Sequence, residues 1–272
     1  FRRAAEAASD SANLVRRFEV VRTLQDELAE RFPGEAKPLS KAALAAYQQA
    51  DWEACLDYCR RLDPLLSIAP ELESNPEFWK MRGVVAKKRE LIPEAKQCFE
   101  RCTRLQPKNS EYHDLLGGVF LEDGNFDLAL RSFGEAIRLR PNYPYAHYHI
   151  GRSHQRQGQY LQAIESYKKA IQLDSTQWEF YLQMGRCHEQ LGDRDNLLKA
   201  VSYLETTLAK NPLSHECLFS MANCMRKLGN VQEADAYLTR YNRVSAVARE
   251  QEEKLRVLIR RIREDPLDAN AR

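Results

Sequence analysis

Three histidines, His147, His149 and His154, fall within eight residues, with Arg152 between them. Cys55 with Cys59, and Cys98 with Cys102, sit four apart. Imidazoles and thiols at such spacings are the raw material of a zinc site or a proton relay, since residues four apart share a helix face. Useful zinc needs three or four converging ligands. Whether these side chains converge depends on the elements that carry them.

Composition bounds the problem first. The chain has 272 residues, 43% of them hydrophobic, with a charged fraction of 29% that nearly cancels to +2. A nucleic-acid binder would show a strongly basic face or stripe, so no nucleic-acid partner is expected. No apolar run approaches the roughly 18 residues of a bilayer span, so no membrane span is expected. The seven cysteines are odd in number and lack CxxC spacing. A disulfide framework is therefore not expected, and a reducing, cytoplasmic compartment suits the chain better. The opening FRRAAEAASD, without methionine or a secretory pattern, reads as a segment of something longer.

A fixed period settles the carriers. FDLALRSFGEAIRLRPN and YLQAIESYKKAIQLDST superimpose at an offset of 34, bringing Ala129, Phe133 and Ala136 onto Ala163, Tyr167 and Ala170. Ala95, Phe99, Cys102 and Pro107 fit the same frame. Gly83, Gly117, Gly151, Gly185 and then Ala222 make position eight always tiny. Gly124, Gly158, Gly192 and Gly229 form a second row at position fifteen, where a chain leaving a helix can turn left-handed.

With Trp79 in a tryptophan slot, Gly and an aromatic following in register, and Pro107, Pro141 and Pro212 closing units, the pattern resembles the tetratricopeptide repeat family. The resemblance implies an all-α fold, a right-handed α-solenoid of helix-turn-helix repeats whose inner wall comes from the first helix of each pair. Each pair has apolar faces that only stacked neighbours can cover. Five repeats are expected at 76–109, 110–143, 144–177, 178–214 and 215–248. The fourth is three residues too long, and GDRDN suggests a lengthened turn between its helices. Ser175 replaces the proline of the third, and the fifth lacks one.

Outside the clear repeats, 38–75 reads as a degenerate helix pair, turning near Ala50 and Asp51, followed by the insertion LLSIAPELESN. Residues 1–37 read as an N-terminal capping helix with an apolar stripe of Leu14, Phe18, Val21, Leu24 and Leu28. Residues 249–272 read as a C-terminal capping helix with a stripe of Leu255, Leu258, Ile259 and Ile262, a membrane-surface or partner helix being the other reading. From Gly229 to Pro266 nothing breaks a helix, which permits one long helix or two in series. DPLDANAR resembles the opening of a further repeat.

In this frame His147 and His154 take positions four and eleven of the third repeat, and His188 position eleven of the fourth, where they face the second helix of their own pair. His149, at position six, points elsewhere. Cys102 replaces a small alanine, and Cys187 and Cys224 share position ten, so thiols are expected as filling. Glu77, Glu111, Glu179 and Glu216 recur at position two, in the first helical turn, where the dipole favours negative charge by about 0.3–1 kcal/mol. No nucleophile elbow, phosphate loop or HExxH occurs. No catalytic residue, metal or cofactor is expected.

What remains is a surface. Under the resemblance, positions five, nine and twelve to thirteen of each first helix line the groove. In the last three repeats the candidate partner-binding residues are Tyr145, Tyr148, His149, Arg152, Gln155, Arg156, Leu182, Gln183, Arg186, Phe219, Asn223, Arg226 and Lys227. An apolar row beside a cationic and amide row suits a protein or peptide segment carrying apolar anchors and carboxylates. The carboxylate clamp known in the family for chaperone tails is not matched: Lys80 fits, but Val84, Leu115, Tyr145 and His149 do not. Of the asparagine ladder in its sugar-transferase relatives only Asn223 fits. The expected function is a non-catalytic interaction scaffold. The alternative is the substrate-presenting arm of a larger enzyme with its catalytic domain elsewhere.

Overall fold

The structure, a computed structural model, describes residues 20–32 and 34–264, with the side chains of Glu252, Leu255, Arg256 and residues 258–264 outside the description. Leu14, Phe18, the C-terminal apolar stripe and DPLDANAR therefore lie outside it. The described residues contain helices and no strand. The chain divides into two compact units, residues 1–142 and 143–272.

Unit 1 runs α1 (20–31), α2 (Ala36–Gln48), α3 (Trp52–Leu62), a 3-10 turn (Asp63–Ile68), α4 (Pro70–Glu73), α5 (Pro76–Lys88), α6 (Ile92–Leu105), α7 (Ser110–Glu122) and α8 (Phe126–Leu139). Unit 2 runs α9 (Pro144–Arg156), α10 (Tyr160–Leu173), α11 (Trp178–Leu191), α12 (Arg194–Lys210), α13 (His215–Lys227) and α14 (Val231–Glu264). Consecutive helices pack as hairpins, α5 on α6, α7 on α8, α9 on α10, α11 on α12 and α13 on α14. From α5 to α12, helix starts recur at the period read in the sequence.

Local chemistry explains the punctuation. Asn75 and Asn109 cap α5 and α7 by accepting the amides of Glu77 and Glu111 at 3.0 Å, and Ser214 accepts that of Cys217. Pro76 and Pro144 occupy first-turn positions, where a missing N–H costs nothing. Three first helices end in the same closure, with Asn125, Gln159 and Asn230 each donating to a carbonyl five residues back while the preceding glycine holds φ between 74° and 89°. That is the Schellman arrangement, which places one residue in left-handed space.

The α5 end makes this closure without glycine: Leu91 donates to Ala86, and Glu90 takes φ 59°. Left-handed backbone costs an L-residue roughly 1–2 kcal/mol, and only part of that is returned as the greater freedom glycine has when unfolded. Glu90→Gly is therefore expected to raise stability by about 0.5–1 kcal/mol, read as a higher denaturation midpoint with unchanged slope. A lower midpoint would contradict the assignment.

In the hairpins from α5 to α12 the glycine at position eight admits a large side chain from the second helix. A Cβ on Gly83 would lie 2.8 Å from Phe99, on Gly117 2.6 Å from Phe133, on Gly151 2.6 Å from Tyr167 and on Gly185 2.9 Å from Leu204. Phe99, Phe133, Tyr167 and Leu204 are wholly buried.

Two expectations are corrected. The three extra residues of the fourth repeat lengthen α12, which has 17 residues against 14 in α6, α8 and α10, and do not lengthen a turn. Gly192 instead closes α11 with a single bond to His188, and Asp193 caps α12 at once through Asn196, so the connection is shorter. In the described part of the α1 stripe the apolar residues are not the covering face: Val21, Leu24 and Leu28 are exposed. The contact runs through buried Ala29, through Asp26, which accepts the Tyr58 hydroxyl at 2.5 Å, and through Arg22, paired with Asp51 at 3.0 Å. α14 is one continuous helix without a break at residue 248. No described helix is long and apolar enough to cross a membrane.

Candidate functional site

The histidines and thiols resolve into packing. His188 is buried, lies 2.7 Å from Asn196 Oδ1 and stacks on Tyr203, both on α12. Burial, partly opposed by the Asn196 hydrogen bond, holds its pKa below the usual imidazole value. His154 Nδ1 lies 2.7 Å from Gln159, the residue that leads into α10, while the His149 ring leans on Tyr148 at 5.3 Å. Among the described residues no three His, Cys, Asp or Glu side chains gather as metal ligands. All seven cysteines are unpaired and buried. Burial pushes Cys98, Cys102, Cys187, Cys217 and Cys224 up to about 12, so they stay protonated and inert near neutral pH.

The position-two glutamates do more than answer the helix dipole. Glu77 accepts the Tyr112 hydroxyl at 2.7 Å and pairs with Lys80 at 2.7 Å, tying α5 to α7. These hydrogen bonds hold its carboxyl below the ordinary range. Glu216 stands 3.5 Å from Arg186.

The expected wall residues lie in unit 2, where α9 meets α11 and α11 meets α13. Its floor is Phe180, which is fully buried. Tyr148 leans on Phe180 at 5.0 Å between ring centroids, and Tyr145 meets it edge-on at 5.6 Å while staying 41% exposed. Both geometries are favourable for aromatic pairs. The Arg152 guanidinium sits 5.9 Å from the Tyr148 ring centre, within cation–π range. Burial raises the Tyr148 pKa; the charges of Glu179 and Glu216 add to the rise, and those of Arg152 and Arg186 oppose it. Arg186 is exposed and paired only loosely with Glu216, a contact worth little between half-solvated groups.

Further along, Phe219 is 48% exposed and rests against Tyr241 of α14 at 5.7 Å. Arg226 and Lys227 are exposed, and Lys227 donates to the Glu189 carbonyl at 3.2 Å above the buried Glu189 side chain. Arg156 is exposed at the end of α9; Gln183 and Asn223 are half-buried. Two expected wall residues turn inward. Leu182, 2% exposed, packs in a core with Leu197, Met221 and Met225. Gln155 accepts the Tyr167 hydroxyl at 2.6 Å and so braces the hairpin. Phe180, at position three, was not singled out in the sequence, although the buried Phe78 and Tyr112 in the same slot carry the signal.

Comparison with known proteins fits this geometry. Models described as TPR repeat or tetratricopeptide repeat match residues 117–158, 144–177 and 216–243. Residues 117–177 and 216–243 are thus tetratricopeptide repeats. Among solved structures, PilW, a widely conserved type IV pilus biogenesis factor, is 18% identical with a TM-score of 0.63, over 74% of this chain and 90% of that one. MamA from Desulfovibrio magneticus RS-1 is 15% identical, TM-score 0.55, over 63% and 96%. YrrB, described as a TPR protein with an unusual peptide-binding site, is 21% identical, TM-score 0.50, over 71% and 95%. At these identities the likeness is one of fold. No curated protein matches the sequence.

Proposed function

We propose that the chain is a non-catalytic interaction scaffold, and that the first-helix wall of unit 2 binds a protein or peptide segment carrying an apolar anchor beside carboxylates. The observation that carries this reading is the aromatic cluster of Tyr145, Tyr148 and Phe180, with the Arg152 guanidinium 5.9 Å from the Tyr148 ring centre and the exposed Arg186 only loosely paired with Glu216. Arginine forks answer carboxylates with paired hydrogen bonds, and rigid aromatics supply contact area at low entropic cost. The partner's acid would replace Glu216 on Arg186, an exchange that a half-exposed pair opposes weakly. YrrB, similar in fold, is a repeat protein with a peptide-binding site, which supports the class of ligand.

The reading is tested by selecting a displayed random peptide library on the purified protein. Enriched peptides are expected to pair an aromatic or large aliphatic residue with Asp or Glu, and to bind less well as salt rises. Enrichment of basic peptides, or binding indifferent to salt, would overturn it.

A further inference from the structure

Unit 1 holds a pocket of about 410 Å³ between α2, α4 and α5, apart from the unit 2 wall. Phe78 and Met81 form its buried floor, Tyr47 and Leu72 its sides, and Leu44 stands 48% exposed at its lip. The volume lies toward the small end of ligand sites, which run from roughly 300 to 1,000 Å³. One large side chain and part of its backbone suit it better than an extended ligand.

The pocket exists because the insertion after α3 is held as a wall. The Trp79 indole N–H donates to the Glu73 carbonyl at 2.8 Å, Arg101 pairs with the Glu73 carboxylate at 2.6 Å, and Arg82 pairs with Asp63 at the start of the insertion. With both ends of the inserted segment fixed to α5 and α6, α4 cannot fall into the space that Leu72 borders. A preformed cavity of this kind spares a ligand the cost of opening it.

Its rim carries charges of both signs, Lys41 and Lys80 with Glu77. Lys80 is already held between Glu77 at 2.7 Å and Glu111 at 3.5 Å. Lys41, exposed on α2, has no ion pair among the described residues. Ser40 donates its hydroxyl to the Lys37 carbonyl at 2.9 Å and keeps its lone pairs for an incoming N–H. An apolar floor, an exposed ammonium with no ion pair among the described residues and a hydroxyl acceptor together suit an amino-acid residue in a chain.

We propose that this pocket anchors one bulky apolar side chain of a bound peptide, with a carboxylate on the adjacent residue set against Lys41. The proposal is independent of the unit 2 reading, since it uses neither its residues nor its arginines.

The test is a titration of methyl-labelled protein with the blocked hexapeptide Gly-Ser-Phe-Asp-Ser-Gly, followed through the methyl signals of Leu44 and Met81. Saturable shifts at both are expected, weakened about tenfold or more when the peptide's Phe becomes Ala and about threefold when its Asp becomes Asn. Lys41→Glu, at an exposed position with no partner to lose, should leave the fold intact and reverse the preference toward Phe-Lys over Phe-Asp. Absence of shifts at Leu44 and Met81, equal affinity for the Ala peptide, or indifference to Lys41→Glu would each overturn the proposal. Shifts confined to unit 2 methyls would overturn it while leaving the unit 2 reading standing.

Discussion

The Gly151→Leu protein is expected to lose about 3 kcal/mol of stability, the upper end of what overpacking a filled core costs. A Cβ at this position would already lie 2.6 and 2.7 Å from Cε1 and Cδ1 of Tyr167. That ring has nowhere to go: it is wholly buried, leans on Tyr148 at 5.7 Å and is tethered through its hydroxyl to Gln155. Leucine adds three further carbons to the clash. Gly134 on α8 supplies the control, because a Cβ there would meet nothing within 4 Å. Gly134→Ala should stabilise by about 0.5–1 kcal/mol, since alanine loses less backbone freedom in a helix. Thermal melts of the two variants should move in opposite directions. Equal melting temperatures for Gly151→Leu and its parent would contradict the close approach of α9 to α10.

Arg82→Ala is the second large effect, expected at about 3 kcal/mol of destabilisation, the low end for breaking a buried ion pair. The Arg82 side chain is 10% exposed and reaches two acids: one nitrogen pairs with Asp63, a second lies 3.1 Å from the same carboxylate, and Nε donates to Glu94 at 3.0 Å. Its ring of contacts closes with the Trp79 face at 5.8 Å. Truncation leaves Glu94, 20% exposed, with only the exposed Arg60 at 3.4 Å for compensation among the described residues. Asp63 is 46% exposed and recovers water, which sets the cost near the low end. Arg82→Met, which fills the volume but leaves the acids unpaired, should fall between parent and alanine. A chemical denaturation midpoint within error of the parent would mean that the cluster contributes no net stability and does not hold the insertion in place.

Much of the hairpin packing was legible because one constraint writes itself into the sequence at fixed spacing. The small position eight and the aromatic row were both visible in the sequence, and the structure shows that they meet, Gly83 against Phe99 and Gly151 against Tyr167. The frame also placed His188 against α12, where it stacks on Tyr203. What escaped depends on which side of a helix its neighbours cover. Leu182 occupies a position whose equivalents Tyr148 and Phe219 reach the surface, yet α13 buries it. Val21, Leu24 and Leu28 have helical periodicity, but α1 meets α3 through polar Asp26 and small Ala29, and periodicity cannot tell which face is used. The three extra residues of the fourth repeat join α12, which Asp193 caps directly after Gly192, and spare the turn. The unit 1 pocket had no signature because it arises from an insertion pinned by Trp79, Arg82 and Arg101, contacts between residues distant in sequence.

The central claim, that Arg152 and Arg186 recognise acidic groups of a partner segment, is tested most directly by a charge swap. A selected acidic peptide is titrated calorimetrically into the parent, into Arg152→Glu/Arg186→Glu, and then into the double variant with the peptide's acids changed to lysine. Loss of affinity of about tenfold or more on reversal, with helicity retained and affinity recovered by the lysine peptide, is the predicted result. Undiminished binding of the acidic peptide to the reversed protein would contradict the account.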